Sequence, residues 1–455
     1  MVALLCGRHE RPTLTIVIFV VTAVAGAARD RWRWRVAAVV LIVGSVAGAR
    51  ADHEWQASRL RSVGAFGGWV TVMADPQPVR SATRVIVEVD GERFEWWARS
   101  RSKQQRAAGW RAGDRVLVHG TRQPLDDQRR RRVAWQHVVG EFDLEWVADT
   151  APGSPLARAS NTVRSTLERG AAAGLDARGA ALFRGLVVGD DRDQPPEMID
   201  RFRSSGLSHL TAVSGQNVAF VLAAAGPLLR GLRPLGRWFA TVGLIGWFVA
   251  LTRFEPSIMR AGAMAALSAT AFALGRERGP TRLLCLAVIA LLLVDPLLVE
   301  SVGFWLSVGA TAGVTGVAPW MAARLELLGP LAMPVAVTLG AQIGVSLPAL
   351  LIFGGVPLVS VPANLLAVPV AGAVMLYGLP AGLLAGLVPW SAPAVLLPCR
   401  LGVRWIDTVA ALGARLEPGR TGSLIGWTLL AGTVGALAAQ PWRRRGADVD
   451  QPNGM

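Results

Sequence analysis

The stretch SHLTAVSGQNVAFVLAAAGPLL, residues 208–229, opens the long apolar half of this chain and is unusually polar at its start. It carries His209, Thr211, Ser214, Gln216 and Asn217 within ten residues. A polar side chain that faces hydrocarbon costs on the order of a few kcal/mol unless it finds a partner. The stretch therefore indicates either a site at a broken helix or a polar packing seam inside a helix bundle.

The composition indicates a polytopic membrane protein. The chain has 455 residues, is 52% hydrophobic and contains several apolar runs long enough to cross a bilayer core of about 30 Å. Lys103 is the single lysine and lies in RSKQQ, so the chain has no GxxxxGK[ST] phosphate-binding loop. Three cysteines and five scattered histidines show no metal-ligand spacing. We therefore expect no cofactor, no metal site and no built-in ATPase.

The apolar runs predict about eleven transmembrane segments. Two of them, 14–28 and 36–49, flank RDRWRWR, whose arginines favour the cytoplasm, so the N-terminus is predicted outside. The other nine are 208–229, 238–252, 256–275, 282–294, 301–322, 331–353, 358–377, 379–398 and 421–440. Arginine clusters after alternate segments predict a C-terminus inside. The resulting divisions are two N-terminal helices (1–57), a β domain (58–150), amphipathic helices at the outer surface (151–206), a polytopic domain (207–440) and a basic cytoplasmic tail (441–455).

Residues 58–150 differ sharply from the rest, with short valine- and aromatic-rich runs separated by Gly, Pro and Asp. About five strands in this length are typical of a small OB-like β-barrel. Such barrels bind single strands through aromatic rings beside a basic groove. Two interpretations remain open for its basic and aromatic residues, a strand-capturing surface or a solvated loop with core tryptophans. The residues concerned are Trp96, Trp97, Arg99, Arg101 and Lys103, together with the basic run 129–132.

Three further places in the apolar half hold polar residues. In PSIMRA, Ser257 begins a helix and Arg260 lies one turn inside it, where it snorkels, pairs with Glu255 or binds an anion. Ser307 lies in GFWLSVGATAG, which suits close helix packing or a pore. Gln342 and Asn364 are amides in two proline-interrupted segments, a pattern typical of discontinuous-helix sites.

Together these motifs resemble one family. The blocks ALFRGLVVGD, FRSSGLSHLTAVSGQNVAF, PSIMRA, DPLLVESVGFWLSVGATAG and VPANLLAVP follow in order the motifs of the ComEC competence channel family. The resemblance covers roughly residues 14–440 and includes the β domain, which looks like that family's extracytoplasmic OB-type domain. Two positions depart from the family: Asn217 replaces a second histidine, and Trp305 stands where relatives often have Gln. A metallo-β-lactamase-like domain, which many relatives carry at the C-terminus, is expected to be missing.

The resemblance implies import of single-stranded DNA across the cytoplasmic membrane during natural transformation. Its motifs highlight a set of positions in this chain: Gly206, His209, Ser214, Gly215, Pro256, Ser257, Arg260, Phe304, Ser307, Gln342, Asn364 and Pro369. From their chemistry, we expect the DNA path to be lined by His209, Ser214, Gln216, Asn217, Ser257, Arg260, Ser307, Gln342 and Asn364. The expected partners are membrane lipid, an outer DNA receptor, a cytoplasmic helicase or strand-binding protein, and a second copy of the chain.

Two other functions stay open at this level. A small-solute transporter with a sensing β domain would show the same hydropathy. An intramembrane serine hydrolase would use Ser214 as nucleophile and His209 as base, although a regular helix places them about 140° apart. Because the chain lacks ATPase and metal-nuclease motifs, we expect a channel and not an enzyme.

Overall fold

A computed structural model describes residues 50, 53, 62–79, 81–211, 215–275, 279–353 and 355–439 of the chain. The two predicted N-terminal segments, 14–28 and 36–49, lie outside the described residues. The predicted basic tail, 441–455, also lies outside them.

The N-terminal part of the described chain is a β domain, as the sequence predicts. Its six strands are β1 (Gly64–Val72), β2 (Gln77–Val79), β3 (Ala82–Val89), β4 (Glu92–Ala98), β5 (Arg115–Pro124) and β6 (Val138–Ala151). The sheet order is β1-β5-β6-β4-β3-β2, and β1 also pairs with β3. The β4–β6 pairing is parallel and the others are antiparallel. The five longer strands therefore pair in a closed circuit.

The alternation of side chains along these strands explains the core of the β domain. Val85, Val87, Phe94, Trp96 and Phe142 are buried together, and the rings of Phe94 and Phe142 meet edge to face with centroids 6.4 Å apart. Apolar side chains on the inner face of each strand are removed from water when the sheet forms. Burial of each large one contributes about 1.5–3 kcal/mol to the stability of the fold. The domain thus has a hydrophobic core of its own.

Helices make up the rest of the described chain. Two short ones lie within the β domain, and fifteen follow it. They are α1 (Arg101–Ala108), α2 (Asp127–Val133), α3 (Pro155–Gly174), α4 (Ala177–Val188), α5 (Pro196–Ser204), α6 (Ser208–Thr211), α7 (Gly215–Arg230), α8 (Pro234–Leu251), α9 (Pro256–Ala273), α10 (Pro280–Val294), α11 (Val302–Ala312), α12 (Ala318–Ala322), α13 (Ala332–Phe353), α14 (Ser360–Leu387), α15 (Ala392–Val395), α16 (Leu397–Leu416) and α17 (Gly419–Ala439).

Four helical segments among the described residues are long and apolar enough to cross a membrane. They are Pro234–Leu251, Val302–Ala322, Leu328–Ser346 and Ser360–Leu387. The helices Pro280–Val294 and Thr421–Leu430 are apolar but shorter. The chain is therefore a membrane protein by composition and helix length, while the total of about eleven segments stays a prediction.

One predicted boundary is wrong. The sequence predicts two segments, 358–377 and 379–398, whereas the structure has a single helix, Ser360–Leu387, with Pro369 and Pro380 inside it. A proline removes one backbone hydrogen bond, but an apolar helix tolerates this where neighbouring helices support it. Such support exists here, because the helix carries glycines against which other segments pack.

Two close helix contacts organise the bundle. A Cβ added at Gly170 of α3 would lie 2.2 Å from the carbonyl oxygen of Gly382 in α14. A Cβ at Gly313 would clash with the carbonyl oxygen of Gly340, and one at Gly309 would lie 2.4 Å from that of Gly344. Only glycine permits backbones to approach so closely. The apolar face of α3 is thus covered by protein, while the predicted placement of 151–206 at the membrane surface stays a prediction.

Candidate functional site

The motif at 206–217 is described on both sides of residues 212–214, which themselves lie outside the described residues. Helix α6 covers Ser208–Thr211 and α7 covers Gly215–Arg230, so the broken-helix interpretation stays a prediction. The predicted path residue Ser214, and with it the Ser214–His209 pair of the hydrolase alternative, therefore falls outside the described residues. Gly206 has a φ of +73°, and a Cβ there would lie 2.4 Å from the Cβ of Ser360. Glycine is required at this position both for its backbone angle and for contact with the start of α14.

The polar residues of the 206–217 motif differ in their exposure. His209 keeps exposed surface. Gln216 is also exposed.

Asn217 has a different role from the one predicted. Its side chain is only 2% exposed, and its Nδ2 donates a hydrogen bond to the carbonyl oxygen of Leu186 at 3.1 Å. The amide therefore fastens α7 to α4. We correct its assignment from path lining to helix packing, because a buried amide that is bonded to backbone has no surface to offer a strand.

Arg260 is buried in the apolar half without a carboxylate partner among the described residues. It is 6% exposed, so it does not snorkel to the surface. Its Nε donates to the Ser307 hydroxyl at 2.8 Å, and its Nη1 lies 3.3 Å from the sulfur of Met264. A Cβ on Gly215 would lie 2.8 Å from its Nη2, so the guanidinium reaches the first residue of α7. A buried cation with neutral partners and a helix N-terminus beside it attracts an anion.

The two predicted amides lie at the start of α14. The Nε2 of Gln342 donates to the hydroxyl of Ser360 at 2.9 Å, and Asn364 lies one helical turn beyond Ser360. Asn364 is 7% exposed, and its Oδ1 has no hydrogen-bond partner. Because Ser360 also contacts Gly206, the structure brings Gln342 and Asn364 close to the beginning of the 206–217 motif.

The β domain requires another correction. Trp96 is 2% exposed and packs against Trp110 with ring centroids 5.4 Å apart, so it belongs to the core and cannot stack on a base. Trp97 is half-buried, and Lys103 donates to the carbonyl oxygen of Leu144 at 2.6 Å. Arg99 and Arg101 are exposed, as the capture hypothesis requires.

An exposed aromatic surface on the β domain was missed by the sequence reasoning. His119 of β5 and Trp146 of β6 stack with centroids 4.2 Å apart, and Trp69 of β1 is 39% exposed. The alternation in GAFGGWVTV could have revealed Trp69, because it falls on the outward face. Asp143 and Glu145 on β6 are also exposed and disfavour a polyanion at this surface.

Gln194 was also missed. It precedes α5 in a loop whose composition, DDRDQPP, predicts an exposed position. In the structure it is 6% exposed, and both its Nε2 and its Oε1 lack hydrogen-bond partners. No signal in the sequence indicates this burial.

An ionic cluster joins the β domain to the helices. Asp75, in the β1–β2 connection, lies 3.1 Å from Arg164 of α3 and 3.1 Å from Arg253, which follows α8. Burial alone would raise the pKa of the Asp75 carboxyl, but the charges of Arg164 and Arg253 lower it below its usual value. Arg253 also donates to Asn161 at 2.6 Å.

The cluster continues through α4 and the loop after it. Arg192 donates two hydrogen bonds to Asp190, at 2.7 and 2.8 Å. Burial works to raise the pKa of Asp190, but these hydrogen bonds and the surrounding arginines hold it well below its usual range. At a second junction, His137 lies 3.1 Å from Asp295, which follows α10. The ionic cluster around Asp75 and the His137–Asp295 pair thus hold the β domain against the helices at two separate places.

Nothing in the described residues suggests a resident metal. No group of three or more His, Cys, Asp and Glu side chains is arranged to hold an ion in that part of the chain. The chemistry available near the 206–217 motif is that of a guanidinium, hydroxyls, an imidazole and amides.

Comparison with known proteins agrees with the motifs. The chain is similar to "Uncharacterized protein YcaI" of Escherichia coli (strain K12), with 30% identity over 42% of this chain and 27% of that protein. It is 28% identical to "Competence protein ComA" of Neisseria gonorrhoeae over 60% of this chain and 42% of that protein. It is 32% identical to "ComE operon protein 3" of Bacillus subtilis (strain 168) over 41% of this chain and 24% of that protein. The chain thus spans less than half the length of each relative, and no solved structure matches it.

The family comparison is more extensive. Residues 186–445 match the family described as "Competence protein", which is more than half of the chain. The match contains the 206–217 motif, Arg260, Ser307, Gln342 and Asn364. The chain therefore belongs to the competence protein family, whose ComEC/ComA-type members point to a membrane protein with a role in DNA uptake.

Proposed function

We propose that this protein is a multi-pass channel that passes single-stranded DNA across the cytoplasmic membrane. The observation that carries the proposal is Arg260, a buried guanidinium whose described partners are a hydroxyl and a thioether. A phosphodiester is the anion that DNA would bring to it. One cation with neutral neighbours suits a conduit, because a dense wall of arginines would hold a polyanion and stop its movement.

The other path residues supply neutral contacts. His209 and Gln216 expose polar surface in the 206–217 motif, and Ser257 and Ser307 flank Arg260. Gln342 and Asn364 add amides at the start of α14. Such groups make weak bonds to sugar and phosphate that do not depend on base identity, as transport of any sequence requires.

The β domain is suited to collect the strand. Its circuit, with β4 parallel to β6 and a helix between β4 and β5, is the strand arrangement expected of an OB-like barrel. Arg99 and Arg101 are exposed at the start of that helix, and Trp97 lies beside them in sequence. A basic, partly aromatic surface attracts a single strand and loses affinity as salt rises.

Connectivity supports an outer position for the β domain. The β domain contacts Arg253, which follows α8, and Asp295, which follows α10. Because α9 and α10 separate these two loops, both loops lie on the same side of the membrane if each helix crosses it once. Arg230, Arg233 and Arg237 lie at the other end of α8. The positive-inside rule then gives a cytoplasmic position for these arginines, an outer β domain and a C-terminus inside.

The proposal includes partners that the chain requires. Without a nucleotide-binding motif, the pulling force comes from a cytoplasmic helicase or strand-binding protein, and an outer receptor delivers the DNA. Lipid surrounds the helices, and two copies of the chain are the simplest oligomer. We assign no enzymatic step to the chain itself.

The decisive experiment replaces Arg260 in a host shown to take up DNA. We expect Arg260→Gln to insert normally and to reduce entry of labelled DNA into the cytoplasm by at least tenfold, because a charge-assisted phosphate contact is lost. The matched control is Arg237→Ala. Arg237 of α8 lies 4.9 Å from the centroid of the Phe272 ring, which is near the C-terminal end of α9, whereas Arg260 is near the N-terminal end of α9. Deletion of the gene must stall DNA outside the membrane, and normal internalisation in the deletion strain would remove the channel proposal.

A further inference from the structure

The outward surface of the β domain carries an exposed aromatic pair that the proposed DNA path does not use. His119 of β5 and Trp146 of β6 lie opposite each other in the sheet, and their rings stack with centroids 4.2 Å apart and an angle of 6° between the planes. The imidazole also lies over Gly67 of β1, where an added Cβ would be 2.6 Å from the His119 Cε1. The imidazole is thus fixed against one side of the indole, while Trp146 stays 48% exposed.

A β-bulge places a carboxylate beside this indole. The register of β5 and β6 shifts after His119, and Glu145 is the extra residue of β6 at that point. Regular alternation would put Glu145 and Trp146 on opposite faces of the sheet, whereas both are exposed here. The hydroxyl oxygen of Thr121, which shares a face of β5 with His119, lies 3.5 Å from Glu145 Oε1. The bulge therefore brings an acidic group and a free indole surface to one place.

The charge of this surface is negative. Asp143, Glu145 and Asp149 are all exposed on β6, and none of them makes an ion pair within the described part of the chain. Asp143 and Asp149 lie opposite outward residues of β5, so their side chains leave the sheet on the same side as the aromatic pair. We call the four residues around the bulge the acidic aromatic face: His119, Asp143, Glu145 and Trp146.

A neighbouring row of the same sheet shows which group an indole binds here. The guanidinium of Arg115 lies over the Trp69 ring, 5.2 Å from its centroid, and Trp69 is 39% exposed. A cation is attracted to an indole by the negative face of the ring, and a nearby carboxylate adds an ion pair. Trp146 is an equivalent indole with carboxylates beside it and no cation from the described residues above it. The acidic aromatic face therefore repels a polyanion or an anionic lipid surface and attracts an arginine or lysine side chain.

We propose that the acidic aromatic face docks an arginine- or lysine-bearing segment of the outer protein that delivers DNA. This inference rests on the proposed uptake of single-stranded DNA and names the surface that the receptor contacts. A protein that binds DNA presents basic side chains, because it neutralises phosphates. One of these side chains lies over Trp146 and pairs with Glu145 or Asp143. The strand itself is collected at exposed Arg99 and Arg101, so the receptor and the strand use surfaces of opposite charge.

The first test measures peptide binding to the purified full chain. The probe is a short fluorescent peptide of alternating Arg and Gly, and the matched peptide has citrulline in place of arginine, which removes the charge and keeps the shape. We expect the arginine peptide to bind about tenfold more tightly and to lose affinity as salt rises. Trp146→Ala and the double variant Asp143→Asn/Glu145→Gln should each weaken it about fivefold, whereas Asp127→Asn, at an exposed carboxylate of α2, should not.

The double variant changes only exposed carboxylates, so it remains informative if Trp146→Ala fails to fold. Equal binding of the two peptides, or an unchanged affinity in the double variant, overturns the inference. Binding of a neutral oligosaccharide that Trp146→Ala abolishes, without a preference for the arginine peptide, would identify a glycan-binding face instead.

The second test separates this inference from the channel proposal. In a host shown to take up DNA, the triple variant Asp143→Asn/Glu145→Gln/Trp146→Ala should lower entry of labelled DNA about fivefold, while the purified variant binds a single strand as before. If deletion of the gene abolishes entry and the triple variant takes up DNA normally, the channel proposal survives and the docking assignment fails. If deletion leaves entry normal, the channel proposal fails, and the inference that rests on it fails too.

Discussion

Arg253 and Arg260 lie seven residues apart on either side of the start of α9, yet they have opposite surroundings. Arg253 makes two hydrogen bonds to Asp75, at 3.1 and 3.2 Å, and one to Asn161. Arg260 contacts Ser307 and Met264, and no carboxylate of the described residues pairs with it. The first arginine is neutralised by the protein and holds the β domain in place. The charge of the second arginine is not neutralised by the protein, so Arg260 stabilises the fold less than Arg253 does and is better suited to bind an anion.

The largest expected effect comes from breaking the neutralised side of the comparison with Asp75→Asn. The change removes the carboxylate that pairs with the guanidinium of Arg253 and leaves Arg164 only Asp190, at 3.9 Å, which costs about 3–5 kcal/mol. We expect a lower unfolding temperature in detergent and faster proteolysis between the β domain and α3. Asp90→Asn is the control, because the Asp90 side chain is 68% exposed in its pair with Arg122. An Asp75→Asn protein as stable as the control would show that the junction is not held by charge.

Acid should weaken the same junction without any mutation. The pKa values of Asp75 and Asp190 are lowered in the folded protein, so their contribution is complete above the unfolded value of about 3.9 and is lost as pH falls toward the folded values. We expect the unfolding temperature to fall below about pH 4, with a loss of about 1–2 kcal/mol in the free energy of unfolding. The measurement is thermal unfolding against pH, and Asp75→Asn should flatten the acid limb. An acid limb of equal steepness in the variant would contradict this assignment.

The other side of the comparison predicts a gain of stability. Arg260→Met removes a buried cation that has no carboxylate partner among the described residues. We therefore expect the free energy of unfolding of the variant to be about 1–2 kcal/mol higher, although the variant fails to carry DNA. Arg253→Met should instead destabilise, because it removes one of the two guanidiniums that pair with the buried Asp75 carboxylate. Chemical unfolding of the two variants under the same conditions shows whether the free energy of unfolding rises in the first and falls in the second. A loss of stability in Arg260→Met would indicate that Arg260 is structural.

The smallest expected effect is at the surface of the β domain. Arg101→Ala should change the free energy of unfolding by less than about 0.5 kcal/mol, since the side chain is exposed. If Arg101 contacts phosphate, the salt dependence of single-strand binding by the full-length protein falls by about 0.7 in its log–log slope. Binding of a labelled strand measured between low and moderate salt gives this slope. An unchanged slope would remove Arg101 from the capture surface.

The prediction of a β domain followed by apolar helices succeeded because the local patterns are strong. Alternation in TRVIVEV predicts a strand, and uninterrupted apolar runs predict helices of membrane length. Trp96 failed as a surface residue because the neighbouring Trp96 and Trp97 point to opposite faces of β4, and only the closed circuit decides which face is the core. The division near Tyr377 failed because prolines mark a helix end only when no neighbour supports the helix.

By itself, the sequence determined the class of the protein, the order of its regions and the identity of its family motifs, because these depend on composition, periodicity and spacing. The tertiary structure decided which polar residues are neutralised and which are not. Gln194, Asn217 and Arg260 look equally out of place in a linear sequence. Their differences arise from groups distant along the chain, the Leu186 carbonyl beside Asn217 and Ser307 beside Arg260, since hydrogen bonding and desolvation depend on neighbours in space.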